Sequence, residues 1–194
     1  MFLDNSGKEY KSVIKHFDDS EIKLGIIEVL ENKNEPELKI ALYQSLSKKD
    51  KFEWVLEKGT EVGIFEFIPI ITERTEKLGL NMERAEKILK EAAEQSERGI
   101  IPKLLEVQSF EEAIRQAQNE KVLLDRYGEN LKSHKSLVNG QLSKINVFVG
   151  PERGFTEQEL VLAKENNAKI ISLGPRVLRT ETAGLVVAAV ILNK

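Results

Sequence analysis

The chain has 194 residues, 41% hydrophobic and 31% charged, which suits one full domain with a small appendage. Its net charge of −3 argues against gripping nucleic acid by bulk charge, so any such contact must come from a local basic patch. With no cysteine, disulfides, thiolate metal sites and a cysteine nucleophile are excluded, and His16 and His134 alone do not make a metal site.

From the N-terminus, Met1–Lys15 is interrupted by charges and does not read as a signal peptide. Short apolar runs at Met1–Leu3, Tyr10–Phe17 and Ile22–Leu30 are separated by turn residues at Asn5-Ser6-Gly7 and Asp18-Asp19-Ser20. Three such strands predict a β-meander too small to stand alone. Glu31–Pro36 is polar, ends in proline and reads as a linker, so residues 1–36 and 37–194 are expected as two parts.

Beyond the linker, apolar runs at Leu38–Leu46, Phe65–Ile71, Lys103–Val107, Val122–Leu124, Ile145–Val149 and Lys169–Leu173 alternate with helical segments. That alternation predicts an α/β fold with a mostly parallel sheet and helices on both faces. Pro69 predicts that its strand lies at a sheet edge or ends early. The spacing of Phe52, Val55, Leu56, Gly59 and Val62 predicts a helix over Lys49–Val62, with a close neighbour at Gly59. A second helix is predicted over Asn81–Glu97, with Glu91, Gln95 and Arg98 sharing one face. Ser109 and Glu112 form a capping box for a third, running to Gln118. Glu129–Asn139, which holds His134, is polar and reads as a surface helix or loop.

The last fifty residues carry two strand–loop–helix units. Ile145–Val149 ends in Gly150-Pro151, with Gly154 following, and Thr156 and Glu159 cap a helix over Glu157–Asn166. Lys169–Leu173 ends in Gly174-Pro175, and Thr180 reads as the cap of the final helix. If the two strands are parallel neighbours, the two Gly-Pro turns lie side by side at the sheet edge where ligands bind. Neither turn is a G-x-G-x-x-G or Walker loop, so the usual dinucleotide and nucleoside-triphosphate readings fail. Bare backbone at Gly150 and Gly174, walled by Leu173, Val177 and Leu178, suits a ligand held by shape and backbone amides. The final apolar run, Ala183–Leu192, is about half of a bilayer span, so a cytoplasmic protein with no membrane anchor is expected.

GPERGFTEQE followed by SLGPRVLRTETA resembles the C-terminal signature of the RsmE family, 16S ribosomal RNA uridine-N3 methyltransferases of the SPOUT class. EKGTEVGIFEFIPIITERT, EAAEQSERGIIPKL and KVLLDR fit the same family in the expected order, over roughly Leu38 to Lys194. The resemblance implies a deep trefoil knot near the C-terminus, which general topology rules disfavour, and a homodimer built on the last helix and the Gly150–Phe155 loop. It implies S-adenosylmethionine (SAM) as cofactor, at Gly150, Pro151, Glu152, Gly154, Leu173, Gly174, Val177, Leu178, Thr180 and Ala183. The substrate it implies is 16S rRNA in the small ribosomal subunit, with no metal. FLDNSGKEYKSVI resembles the later part of the family's PUA-like barrel; its earlier strands are absent from this sequence, so the RNA-docking piece is expected to be incomplete.

Methylating N3 of uridine needs the methyl held in line with N3 and the N3 proton removed. A guanidinium beside the uracil carbonyls would stabilise the developing anion. Arg153 and Arg179 are the first candidates, with Arg98 reaching in from a partner subunit, and Glu181 or Glu152 could take the proton. The competing reading is a non-catalytic knotted dimer that holds SAM or RNA without turnover.

Overall fold

The computed structural model describes residues 2–76, 79–134, 137 and 142–192. Strands β1 (Phe2–Leu3), β2 (Lys8–Phe17) and β3 (Ile22–Glu31) form an antiparallel meander in the order β1-β2-β3. Asn5 and Gly7 take left-handed conformations in its first turn. Most of this sheet's apolar side chains, including Ile14, Phe17, Ile26 and Ile27, are exposed.

The rest is built on a seven-stranded, all-parallel sheet in the order β10-β8-β9-β4-β5-β6, with β7 pairing β5 as well. Its strands are β4 (Lys39–Ser45), β5 (Glu66–Ile71), β6 (Lys103–Leu104), β7 (Gln108–Ser109), β8 (Glu120–Asn130), β9 (Lys144–Val149) and β10 (Ala168–Ser172). The helices are α1 (Lys49–Val62), α2 (Met82–Gln95), α3 (Phe110–Gln116), α4 (Glu157–Glu165) and α5 (Thr180–Leu192).

Alternation along the central strands sorts the core into two layers, because successive side chains point to opposite faces. Ile40, Leu42 and Val147 pack with Val55, Leu56, Val187 and Ile191 of α1 and α5 on one face. Ala41, Ile68 and Phe148 pack with Phe110, Ile114 and Ala163 of α3 and α4 on the other. Gly59 of α1 is where that helix rides closest on the sheet: a Cβ there would lie 2.7 Å from the Phe67 ring.

Several expectations need correction. The strand carrying Pro69 neither forms the sheet edge nor ends early. Instead β6 pairs Glu66 and Phe67, β7 pairs Ile70 and Ile71, and Pro69 faces the break between them, where no amide is required. The apolar run Lys103–Val107 holds only the two-residue strand Lys103–Leu104. Strands β9 and β10 are not neighbours, since β8 lies between them, so the two Gly-Pro turns are one strand apart. The Glu129–Asn139 stretch begins as the end of β8 and a 3-10 turn at Leu131–Ser133; residues 135, 136, 138 and 139 lie outside the described residues.

Arg98 is not on a face of α2. That helix stops at Gln95, Glu97 turns left-handed, and the Arg98 amide closes onto the Ala93 carbonyl at 2.9 Å. Its guanidinium, 3% exposed, pairs with Glu35 of the linker at 2.7 Å and donates to the Thr60 and Ile64 carbonyls at 3.0 and 2.8 Å. Nearby, the Asn32 and Asn34 side chains both donate to the Glu97 carbonyl, and the Gly7 amide donates to the Gly99 carbonyl. The small sheet is thus moored to the turn that follows α2.

Candidate active site

The C-terminal ends of β9 and β10, with Leu124–Tyr127 midway along β8, open onto a cavity of about 800 Å³. Its first wall is the loop after β9. Phe155 is buried against Phe110, ring centroids 5.0 Å apart, and its ring swings back beneath Gly150, where a Cβ would sit 3.0 Å from it. Gly154, at φ +68°, completes the turn by donating its amide to the Pro151 carbonyl at 2.9 Å. Thr156 and Glu159 form the expected capping box of α4. Glu159 also accepts the Glu73 amide at 2.9 Å, which draws the loop after β5 against this wall. From that loop Arg74 donates to the Arg153 and Phe155 carbonyls at 2.7 and 3.2 Å.

The second wall follows β10. Gly174, at φ +113°, donates its amide to the Ser172 hydroxyl at 3.3 Å, and a Cβ built on it would meet nothing within 4 Å. Thr180 does not cap α5 in the expected way. The Arg179 carbonyl accepts the first helical amides, from Thr182 and Ala183, while the Thr180 hydroxyl donates to the Gly150 carbonyl and accepts from Gln44 Nε2 at 3.0 Å. Thr180 therefore ties the second wall to the first.

All ten expected cofactor positions line the cavity: Gly150, Pro151, Glu152, Gly154, Leu173, Gly174, Val177, Leu178, Thr180 and Ala183. Arg153 and Arg179 line it as well. Glu181 and Arg98 do not. Glu181 is 8% exposed and sits behind the wall, its Oε2 buried and without a hydrogen-bond partner, 3.6 Å from Lys51 Nζ. Arg98 is held in the buried pairing described above.

Sequence reasoning missed Arg74, Arg126, Tyr127 and Arg176, which also line the cavity, and Lys51 behind it. KVLLDR and IITERT held the signal for Arg126 and Arg74, but a lone arginine at a strand bulge or in a loop has no periodicity to mark it. Lys51 Nζ reaches Glu152 at 3.1 Å, and that hydrogen bond, with the charges of Glu181 and Glu152, raises the ammonium's pKa against the opposing effect of burial. Burial works against the charged form of Glu152, but its own backbone amide and Lys51 outweigh it and hold the carboxyl below its ordinary value. Among the described residues, one candidate metal cluster is found, His16, Asp18 and Glu21, exposed on the β2–β3 hairpin and no part of the cavity lining.

The family model described as an RNA methyltransferase domain matches residues 34–192. This chain belongs to the RNA methyltransferase family. It is 34% identical to the ribosomal RNA small subunit methyltransferase E of Bacillus subtilis, over 92% of this chain and 75% of that protein. The protein of the same name from Aquifex aeolicus is 32% identical, over 97% of this chain and 83% of that one. Among solved structures, the Neisseria gonorrhoeae ribosomal RNA small subunit methyltransferase E bound to SAM superposes with a TM-score of 0.85 at 29% identity, covering 96% of this chain and 79% of that one. A methyltransferase of Legionella pneumophila in complex with SAM gives 0.86 at 29% identity, covering 97% and 80%. The mostly parallel sheet with helices on both faces is the architecture these methyltransferases share.

Proposed function

We propose that this chain is a SAM-dependent ribosomal RNA methyltransferase acting on 16S rRNA of the small subunit, and that it methylates N3 of a uridine, as the family resemblance implies. The observation that carries the reading is the paired-loop cavity, in a chain that shares its fold with SAM-bound relatives at 29% identity.

The residues present fit the cofactor. A volume of about 800 Å³ lies within the range of roughly 300–1,000 Å³ typical of small-molecule sites. Leu173, Val177 and Leu178 supply apolar walls, and the open space over Gly174 leaves a bare backbone cradle. When bound there, SAM supplies a methyl group already activated on a sulfonium centre.

The chain's own work is to orient and to stabilise charge. Arg153 and Arg179 carry guanidinium groups at the cavity; among the described residues the Arg153 guanidinium has no ion-pair partner, and Arg179 reaches Glu181 only at 3.9 Å. Both are free to face negative charge developing on the uracil carbonyls. Of the two expected carboxylates, Glu152 and not Glu181 lines the cavity, alongside Asp125 and Glu157, and can take the N3 proton, directly or through water. Glu181 holds Lys51 from behind.

The assembly belongs to the same reading. Residues 37–194 form a SPOUT-type domain with a C-terminal trefoil knot, and residues 1–36 an incomplete PUA-like piece and linker. The match of the family model from residue 34 onward supports the division, and the intercalation of β8 between β9 and β10 supports the knot. The homodimer uses α5, whose inner face packs Val187, Ala188 and Ile191 into the core while Val190 remains exposed. A cytoplasmic location is part of the same reading; among the described residues, no helix is long and apolar enough to cross a membrane. The test is transfer of labelled methyl from SAM to small-subunit particles, with mapping of the modified base. Absence of transfer, with SAM bound, would leave only a binding protein.

A further inference from the structure

A base methylated at N3 cannot be reached in a helix, because N3 lies on the pairing edge and is buried by its partner. The base must leave its stack, and enzymes that extract a base replace the lost stacking with a side-chain surface at the entrance of the site. Such a surface should be an aromatic ring, exposed in the free protein and placed at the cavity mouth.

Among the described residues, the strongly exposed aromatic rings are Phe17 at 70%, Trp54 at 41% and Tyr127 at 87%. Phe17 belongs to the small sheet and Trp54 to α1, and neither lines the cavity; Tyr127 does. Its position is built rather than incidental. Strand β8 pairs with β10 through Leu123 opposite Ile170, then resumes with Glu129 opposite Ile171, so Leu124–Gly128 bulge out of the ladder. Gly128 lets the chain return, since a Cβ there would lie 2.7 Å from the backbone of Ile170 and Ile171. Asp125 Oδ1 accepts the Tyr127 amide at 2.8 Å and holds the turn. The bulge delivers one ring to the opening, with the Arg126 guanidinium 5.7 Å from its centroid.

We propose that Tyr127 is a nucleobase platform on which the unpaired base of the RNA substrate stacks as it enters the cavity. Arg126 lies beside the ring, and with Arg176 on the opposite wall offers guanidinium groups to the flanking phosphates. A chain with a net charge of −3 thus makes its RNA contact locally, at the mouth of this cavity. The ring is too exposed to serve as the enclosed slot an adenine needs, and the Gly150 and Gly174 loops already provide that slot. This inference rests on the RNA methyltransferase reading above.

Two measurements test it. In methyl transfer to small-subunit particles, Tyr127→Ala should lower kcat/KM for RNA by about tenfold to a hundredfold, the scale of losing one stacked base. The loss should fall on KM, with SAM affinity unchanged, and Tyr127→Phe, which keeps the ring, should recover most of it. Separately, Tyr127→Trp in a Trp54→Phe background should show fluorescence quenching on adding small-subunit rRNA and none on adding SAM. Because this reads stacking without turnover, a parent protein that fails to methylate would count against the proposed activity alone. An unquenched fluorophore, a parental kcat/KM for Tyr127→Ala, or a loss of SAM affinity in that variant would each overturn the platform.

Discussion

The Thr180 hydroxyl donates to the Gly150 carbonyl, and this one bond joins the two walls of the candidate SAM site across the intervening strand β8. Thr180 is buried, and its oxygen also accepts from Gln44 at 3.0 Å. Thr180→Val keeps the shape but removes the hydroxyl that the Gly150 carbonyl accepts from, and leaves the Gln44 amide only its long 3.5 Å bond to the Ser45 carbonyl. The expected cost is about 1–3 kcal/mol of stability, with weaker SAM binding as the walls part. Thr180→Ser should restore both. Denaturant unfolding and calorimetric titration with SAM give the two readings, and parental values in the valine variant would remove the tie.

Gly174 carries a sharper expectation. At φ +113°, a side chain strains the turn, and a Cβ there points into open space where the cofactor would lie. Gly174→Val should abolish SAM binding in a folded protein, at a strain cost of about 1–3 kcal/mol. Circular dichroism checks the fold, and titration checks the binding. Normal affinity would place the cofactor elsewhere.

Both Gly-Pro turns were legible in the sequence because their chemistry is local: a short β-branched strand, then glycine, then a capping signal. The capping boxes at Ser109–Glu112 and Thr156–Glu159 were readable for the same reason. What the sequence did not show is long-range. Nothing near Val122–Leu124 says that β8 separates β9 from β10, or that it bulges to deliver Tyr127. Thr180 had the residue type of a cap, yet its hydroxyl is claimed by a carbonyl thirty positions upstream. Arg98 had helical spacing with Gln95, but the left-handed Glu97 intervenes. Short-range pattern cannot report such competition from tertiary partners.

Arg98 should therefore behave as a structural residue. Removing its guanidinium takes from Glu35 its ion-pair partner and from the Thr60 and Ile64 carbonyls a donor at the junction with the small sheet, leaving Glu35 only the Ile100 amide. Arg98→Ala should cost about 3–5 kcal/mol of stability, as when one partner of a buried pair is lost. Transfer rate per folded molecule should stay close to parental. Urea unfolding, with rates normalised to the folded fraction, separates the two effects; a stable but inactive variant would restore a catalytic role.

The Lys51–Glu152 contact sets a pH dependence. Glu152 is depressed below its ordinary value of 4.5, so the stabilisation from its charged form is fully present above pH 4.5 and is lost as pH falls through the depressed value. Lys51 is raised above its ordinary value of 10.5, so its contribution holds below that pH and is lost only as pH rises through the raised value. Carboxyl titration by NMR should place Glu152 below 4.5. In Lys51→Met its midpoint should move upward, since one of the groups holding the anion is gone. An unmoved midpoint would mean that the backbone amide and the charge of Lys48 depress it without Lys51.

The arginines at the cavity decide between catalysis and simple binding. Arg153 is exposed, with no ion-pair partner for its guanidinium among the described residues, on a loop whose shape is already set by Gly150, Gly154 and the clamp from Arg74. Arg179 is 81% exposed and reaches Glu181 only at 3.9 Å, a distance at which a solvated pair contributes little. The fold therefore has little use for either charge. A uracil anion forming during transfer is a partner that exists only along the reaction path, so its stabilisation should appear in rate more than in affinity. Arg153→Ala and Arg179→Ala should each lower methyl transfer by about a hundredfold or more, the scale of losing one donor to a developing anion. Melting temperatures should hold in both variants, and SAM affinity should change far less than rate, at least for Arg153. Single-turnover transfer to small-subunit particles at saturating RNA separates this from weaker docking, because a lost docking contact would be masked there and a lost catalytic charge would not. Parental single-turnover rates in both variants would make these arginines docking groups and leave the anion to another cation at the same mouth, with Arg74 and Arg126 the next to test.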